Sequence, residues 1–190
     1  MSARREEILL EAARVFQEKG YRGTTVQDIA EAVGMLKGSL YYHFANKEEI
    51  FYEIVHDPLY HFVSQMAEVV ALDLGAAEKL CTALRYHLSA FDAHLPGVQV
   101  LLRENLDTMD GQRWAVIQAL WREHRELWET ILRQGMESGA FRPDLDVKVV
   151  TLGILGMCNW MHRWYHQDGR LTSQQIADIW AAMVLDGISR

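Results

Sequence analysis

The chain has 190 residues, 49% of them hydrophobic, which is enough for one compact domain or two small ones with a sizeable core. A net charge of −7 at first argues against a nucleic-acid partner. No apolar run comes near the roughly 20 residues that a bilayer span requires, which argues against a membrane protein.

The charge is uneven. Residues 1–50 carry seven Lys/Arg against eight Asp/Glu, and residues 51–190 twelve against eighteen, so the N-terminal part is nearly neutral and the acidity belongs to the rest. Arg4, Arg5, Arg22, Lys37 and Lys47 can therefore gather on one face, while the acidic body suppresses nonspecific contact with phosphate. Residues 1–20 are charged throughout and offer no signal-peptide core, so a cytoplasmic protein is expected. Cys81 and Cys158 sit in apolar surroundings and read as buried, reduced thiols.

A first helix is expected from Ser2, its cap, to Gly20, with Ile8, Ala12, Val15 and Phe16 forming one apolar stripe. Thr24 or Thr25 caps a second helix with Asp28 as capping-box acid, Val26, Ile29, Ala30 and Val33 forming its stripe, and Gly34 ending it. A third helix is expected from about Lys37 to Phe44, locked down by Leu40, Tyr41 and Phe44. Small residues at Gly38 and Ser39 let its start approach DNA closely. Lys37 and the free backbone N–H groups suit phosphate, and Tyr42 and His43 reach a phosphate or a thymine methyl. Tyr41 and Tyr42 also fit a plain core role.

Asn46 caps a fourth helix, in which Pro58 predicts a kink near His56 and Asp57 and a candidate hinge. A fifth helix covers about Ala76–His94, Pro96-Gly97 breaks the chain, and a short sixth segment follows. The seventh, about Gly111–Glu137, spaces Trp114, Trp121 and Trp128 at seven, a line that suits helix packing more readily than a ligand cage. An eighth runs about Val147–His166, and Thr172 caps a ninth carrying Ile176, Ile179, Trp180, Met183, Val184 and Ile188. With no period-two stretches and no internal repeats, the fold class is all-α with about nine helices. The apolar residues of the last two helices nearly encircle them, as in helices buried between partners.

The stretch GMLKGSLYYHFANKEEIF resembles the recognition-helix signature of the TetR family of transcriptional regulators, and TTVQDIAEAVG matches its scaffold helix. The resemblance covers about residues 4–55. It implies an N-terminal three-helix helix-turn-helix domain (1–46, the helix-turn-helix about 25–44) and a ligand-binding and dimerisation domain (47–190). It places Thr25, Lys37, Gly38, Ser39, Tyr41, Tyr42, His43 and Lys47 at or beside DNA. Leu36 departs from the pattern: the family has a hydroxyl or a small residue there, and a leucine supplies neither cap nor phosphate contact.

The resemblance further implies a homodimer formed by the last two helices as a four-helix bundle, with Ile154, Met161, Ile176, Trp180 and Met183 at its interface. The run GILGMCNWMHRWYHQDGRLTSQQIA resembles a subgroup responsive to acyl coenzyme A thioesters, which points to Asn159, Trp160, Arg163 and Trp164 as ligand contacts. The same residues fit a role in knitting the dimer. Arg85, Arg103, Arg122 and Arg125 are further phosphate candidates.

Enzyme readings find little to hold. One Glu-x-x-His (Glu53–His56) falls short of a di-iron set, and His162 and His166 have no third metal ligand nearby. Nucleophile-elbow, P-loop and dinucleotide motifs are lacking. The expectation is a sequence-specific DNA-binding regulator, a repressor released from a palindromic operator by a small-molecule effector. No catalytic residue, cofactor or metal is assigned, and the partners are double-stranded DNA, the effector and a second copy of the chain. The competing reading is a helical metal- or acyl-binding protein that does not bind DNA specifically.

Overall fold

A computed structural model of the chain describes residues 3–93, 95–103 and 111–190. Ser2 and His94, expected to cap the first helix and close the fifth, lie outside these residues. Among the described residues the structure contains nine α-helices, and the chain divides into two compact units: Met1–Leu59 with His94–Gln118, and Tyr60–Ala93 with Ala119–Arg190.

The first unit begins with α1 (Ala3–Gly23), whose helical backbone breaks at Gly20 (φ 72°) before one more turn. Its stripe of Ile8, Ala12, Val15 and Phe16 is buried, as the apolar spacing predicts. Thr25 caps α2 (Val26–Val33): its hydroxyl accepts from the Asp28 N–H at 3.1 Å, and its own N–H donates to the Asp28 carboxylate at 2.7 Å. Gly34 ends α2 in the left-handed region (φ 70°, ψ 35°), a conformation that a β-carbon would strain.

The third helix is shorter than expected. α3 covers only Lys37–Leu40, and the chain then tightens into a turn in which Tyr42 and His43 donate to the carbonyls of Ser39 and Leu40, three residues back. Leu40 and Phe44 are buried and lock the turn. Tyr41 does not, being 48% exposed.

Asn46 caps α4 (Lys47–Ala71) by accepting from the Glu49 N–H at 2.8 Å. α4 continues helically through Pro58, with no break at His56 or Asp57. Proline leaves the Ile54 carbonyl without its helical donor. Gly97 of α6 (Leu95–Arg103) packs there: a β-carbon on it would lie 3.0 Å from both the Ile54 oxygen and Pro58 Cγ. Pro96-Gly97 therefore does not break the chain as expected. Pro96 stands in the first turn of α6, where the N–H it lacks has no helical acceptor anyway. A ring cluster closes this unit, with Phe51 set 5.1 Å from Phe16, 4.6 Å from Tyr21 and 5.6 Å from Trp114 at the start of α7 (Gln112–Glu137).

The second unit packs α5 (Ala76–Ala93) principally against α9 (Ser173–Ile188), with α8 (Val147–Trp160) and most of α7 completing it. Asp146 and Thr172 cap α8 and α9 through side-chain oxygens, and Gln175 completes a second capping box. α8 ends at Trp160, six residues before the expected end, and passes into a 3-10 turn at Met161–Arg163. Asp92 ties the following segment down. Its carboxylate accepts from the Tyr165 hydroxyl at 2.6 Å and from the Ser173 hydroxyl, and its carbonyl from the Gln167 amide at 2.8 Å.

Trp114 and Trp128 are core residues of their respective units, the packing role that spacing favoured. Both cysteines are free. Cys158 is buried as expected, but Cys81 is only partly so. No helix among the described residues is long and apolar enough to cross a membrane.

Candidate nucleic-acid interface and effector site

The residues expected to meet DNA separate into an exposed group around α3 and a set of internal braces. Tyr42 is 90% exposed and Leu36 80%, on either side of α3, while the space above Gly38 is open. Lys37 is exposed and Ser39 half-buried. Leu36 occupies the cap position of α3 without a side-chain hydrogen bond, so the leucine leaves this helix start uncapped.

Thr25, by contrast, spends its hydroxyl on Asp28, which also pairs with Lys19 at 2.6 Å. Lys19 foremost, then Thr25, hold the Asp28 carboxyl well below the usual carboxylate range. The Lys47 ammonium, expected on a phosphate, donates to the carbonyls of Tyr21 (2.7 Å) and Thr24 (2.6 Å) and sits 4.3 Å above the Tyr21 ring. It clips the turn before α2 onto the start of α4.

Arg5 does similar work. Its guanidinium donates to the His43 carbonyl and to Glu53, and lies 4.0 Å over the Phe44 ring. His43 is thereby held by its backbone, with its ring half-buried. Arg4 and Arg14 pair with Glu7 and Glu11 at 2.6 and 2.7 Å. Of the seven cations in the first fifty residues, Arg22 and Lys37 make no ion pair among the described residues. Of the basic face expected from sequence, Arg5 and Lys47 are turned onto carbonyls and rings of the chain itself and Arg4 is paired with Glu7 at the surface.

In the second unit, the four expected ligand residues point in different directions. Trp160 is exposed, with the Arg163 guanidinium 4.8 Å over its ring. Trp164 meets Trp180 edge-on at 6.1 Å in a cleft of about 380 Å³ that Arg170, Leu171 and Ile179 also line. Asn159 turns inward, and its side-chain oxygen lies 3.2 Å from Nε2 of His87. Arg170, beside the Asp168-Gly169 turn, escaped the sequence reading because only the fold brings it to Trp164. Arg85 is paired with Asp178 at 2.7 Å, Arg125 lies 3.7 Å from Glu129, and Arg103 donates to the Gln17 carbonyl.

Three of the five expected interface residues are corrected. Ile154, Met161 and Ile176 are buried within their own subunit. Trp180 lines the cleft, and Met183 is exposed. The outward apolar residues of α8 and α9 are instead Val149, Leu152, Trp160, Ile179 and Met183, with Gly153 and Gly156 opening room beside them. Periodicity identified the helices, but it does not tell the stripe packed on α5 from the one left outside. Among the described residues, no three His, Cys, Asp or Glu side chains gather in a metal-binding group.

Residues 8–54 match the family model "Bacterial regulatory proteins, tetR family", and residues 73–188 match "Tetracyclin repressor-like, C-terminal domain". The HTH-type transcriptional repressor KstR2 of Mycobacterium tuberculosis is 36% identical over 190 residues, spanning 100% of this chain and 95% of the relative. The solved structure of the ketosteroid transcriptional regulator KstR2 from that organism superposes with a TM-score of 0.93, at 36% identity, over 100% of this chain and 97% of the other. AibR, solved in complex with isovaleryl coenzyme A and operator DNA, superposes with a TM-score of 0.82 at 32% identity, over 95% and 97% of the two chains.

Proposed function

Because this chain belongs to the TetR family of transcriptional regulators, we propose that it is a dimeric repressor whose hold on operator DNA is set by a coenzyme A thioester. Residues 1–46 act as the reading head, and residues 47–190 bind the effector and form the dimer. The turn from Leu36 to Tyr42 enters the major groove, with Lys37 on phosphate and Tyr42 at a base edge or phosphate. Arg5 holds the end of that turn through the His43 carbonyl, while Thr25 and Lys47 brace the start of α2. Tyr41, half-exposed beside Tyr42, flanks the contact.

The outward apolar stripe of α8 and α9 is the dimer face. A two-fold pair presents its heads about 34–36 Å apart to successive major grooves of a palindromic site. The named relatives are transcriptional regulators, and we read this chain as a cytoplasmic regulator without catalytic activity.

The observation that carries the effector reading is the cleft in which Trp164 and Trp180 stand beside Arg170. Indole faces suit an adenine ring and a guanidinium suits phosphate, the two recognition elements of coenzyme A. Arg163, stacked over Trp160 on the same segment, supplies a second cation. AibR, similar over most of its length, holds isovaleryl coenzyme A.

The experiment is selection of bound genomic fragments followed by binding of the recovered site. A palindrome is expected. Tyr42→Ala should weaken that site roughly tenfold, about 1.4 kcal/mol, with an unchanged melting temperature. Absence of any preferred site would favour the acyl-binding protein without a DNA target, and a lower melting temperature would return Tyr42 to a packing role.

A further inference from the structure

The interior of the second unit holds a polar group that the cleft does not account for. His87 of α5 and His124 of α7 are 3% and 0% exposed. Their rings stack at 5.5 Å with 23° between planes, and the Phe62 ring lies 4.7 Å from the first and 5.7 Å from the second. The Nδ1 atoms of both find no hydrogen-bond partner among the described residues, and Thr151 of α8 buries an unpaired hydroxyl as well. Buried polar atoms are paired in the great majority of cases, and each orphan costs about 1–3 kcal/mol.

The proton positions follow from the neighbours. An indole N–H only donates, and Trp128 Nε1 lies 3.1 Å from His124 Nε2, so that nitrogen accepts. In a neutral ring the proton of His124 then sits on Nδ1, a donor aimed at no acceptor. His87 donates from Nε2 to Asn159 Oδ1, which leaves its Nδ1 as an unused acceptor. The two rings are neighbours, with centroids 5.5 Å apart, so their unpaired donor and acceptor lie in one buried polar group. Burial pulls both imidazoles toward the neutral form, His87 to about 4, which suits an uncharged oxygen and disfavours a carboxylate.

We propose that His87 and His124 form the deep polar anchor of the effector site, and that the acyl group of the effector carries a keto or hydroxyl oxygen received there. The inference rests on the coenzyme A reading for the rest of the ligand. Asn159, one of the expected ligand contacts, bonds His87 and stands on the segment that leads to Trp164 in the cleft. A ketone satisfies the His124 donor, and a hydroxyl can serve the His124 donor or the His87 acceptor.

The test compares release of operator DNA from the full-length protein by octanoyl coenzyme A and by oxo-octanoyl coenzyme A thioesters with the ketone moved along the chain. At least one oxo thioester should act at a concentration at least about tenfold lower, the scale of one hydrogen bond to a buried donor. His124→Asn keeps an N–H at the Nδ1 position and should retain that preference. His124→Gln keeps an acceptor for the Trp128 indole, places no donor at Nδ1, and should lose it.

Octanoyl coenzyme A matching every oxo thioester on the natural chain would overturn the proposal and leave the pair with a buried water only. That comparison needs no variant to fold. A preference that survives in His124→Gln would overturn it too, by locating the oxygen elsewhere. If no thioester acts, the coenzyme A reading fails and the anchor is judged by melting with cyclohexanone. A ketone shift seen in the natural chain and absent in His124→Gln upholds it, and no shift overturns it.

Discussion

The reading head and the body treat their polar groups in opposite ways. In the head, Arg5, Lys47, Thr25 and Asp28 spend their hydrogen bonds on the chain itself, and the exposed Leu36, Lys37 and Tyr42 are left for the outside. In the body, His87, His124 and Thr151 are buried with atoms unpaired among the described residues. A surface that must hold one shape against DNA is braced from within. On the reading proposed above, the effector completes the bonds that His87 and His124 leave open.

The contrast can be broken at its strongest joint first. Phe44 is buried and carries the Arg5 guanidinium on its ring, so Phe44→Ala should cost about 3–5 kcal/mol and abolish operator binding together with head stability. Survival of the fold with near-normal melting would remove the claim of a braced head.

Acid should next strike the body. His87 has its folded pKa depressed to about 4, so the unfolded chain binds more protons between there and the ordinary value near 6.5. Stability is therefore full above about pH 6.5 and falls as pH drops toward 4, by about 3 kcal/mol over the whole window. His87→Phe should flatten the curve of denaturation midpoint against pH in that window, and an unchanged curve would contradict burial of a neutral ring.

Lys47 and Lys37 should then part company. Lys47→Ala removes two charge-assisted bonds to carbonyls and should cost about 2 kcal/mol of stability while leaving the salt slope of DNA binding intact. Lys37→Ala should leave melting unchanged and reduce the salt slope by about one. The reverse pattern would restore Lys47 to phosphate.

The smallest effect is at Leu36. Leu36→Thr supplies the missing cap and should add about 1 kcal/mol in melting experiments. No gain would mean that the turn after α3 already carries this helix.

Most of the head was legible in sequence because its signals are local. The Thr25–Asp28 box, Gly34, the α1 stripe and the exposed Tyr42 all follow from spacing within a few residues. The internal bonds of Lys47 were not legible, because its acceptors are carbonyls of a turn whose geometry no motif records. The body was legible only as helices. His87 and His124 come from different helices and neither stands in a motif, so their stacking exists only in the fold. Ile154, Met161 and Ile176 have the same apolar character as Leu152 and Ile179, and tertiary packing alone sends the first three inward.

The central claim, that a coenzyme A thioester sets the repressor's hold on DNA, is tested most directly by fluorescence anisotropy of a labelled operator. The complex is titrated with isovaleryl and octanoyl coenzyme A and with coenzyme A alone. The account predicts release by at least one thioester, none by coenzyme A alone, and a reciprocal loss of thioester affinity when operator is bound. A thioester that binds the protein and leaves operator affinity unchanged would contradict it.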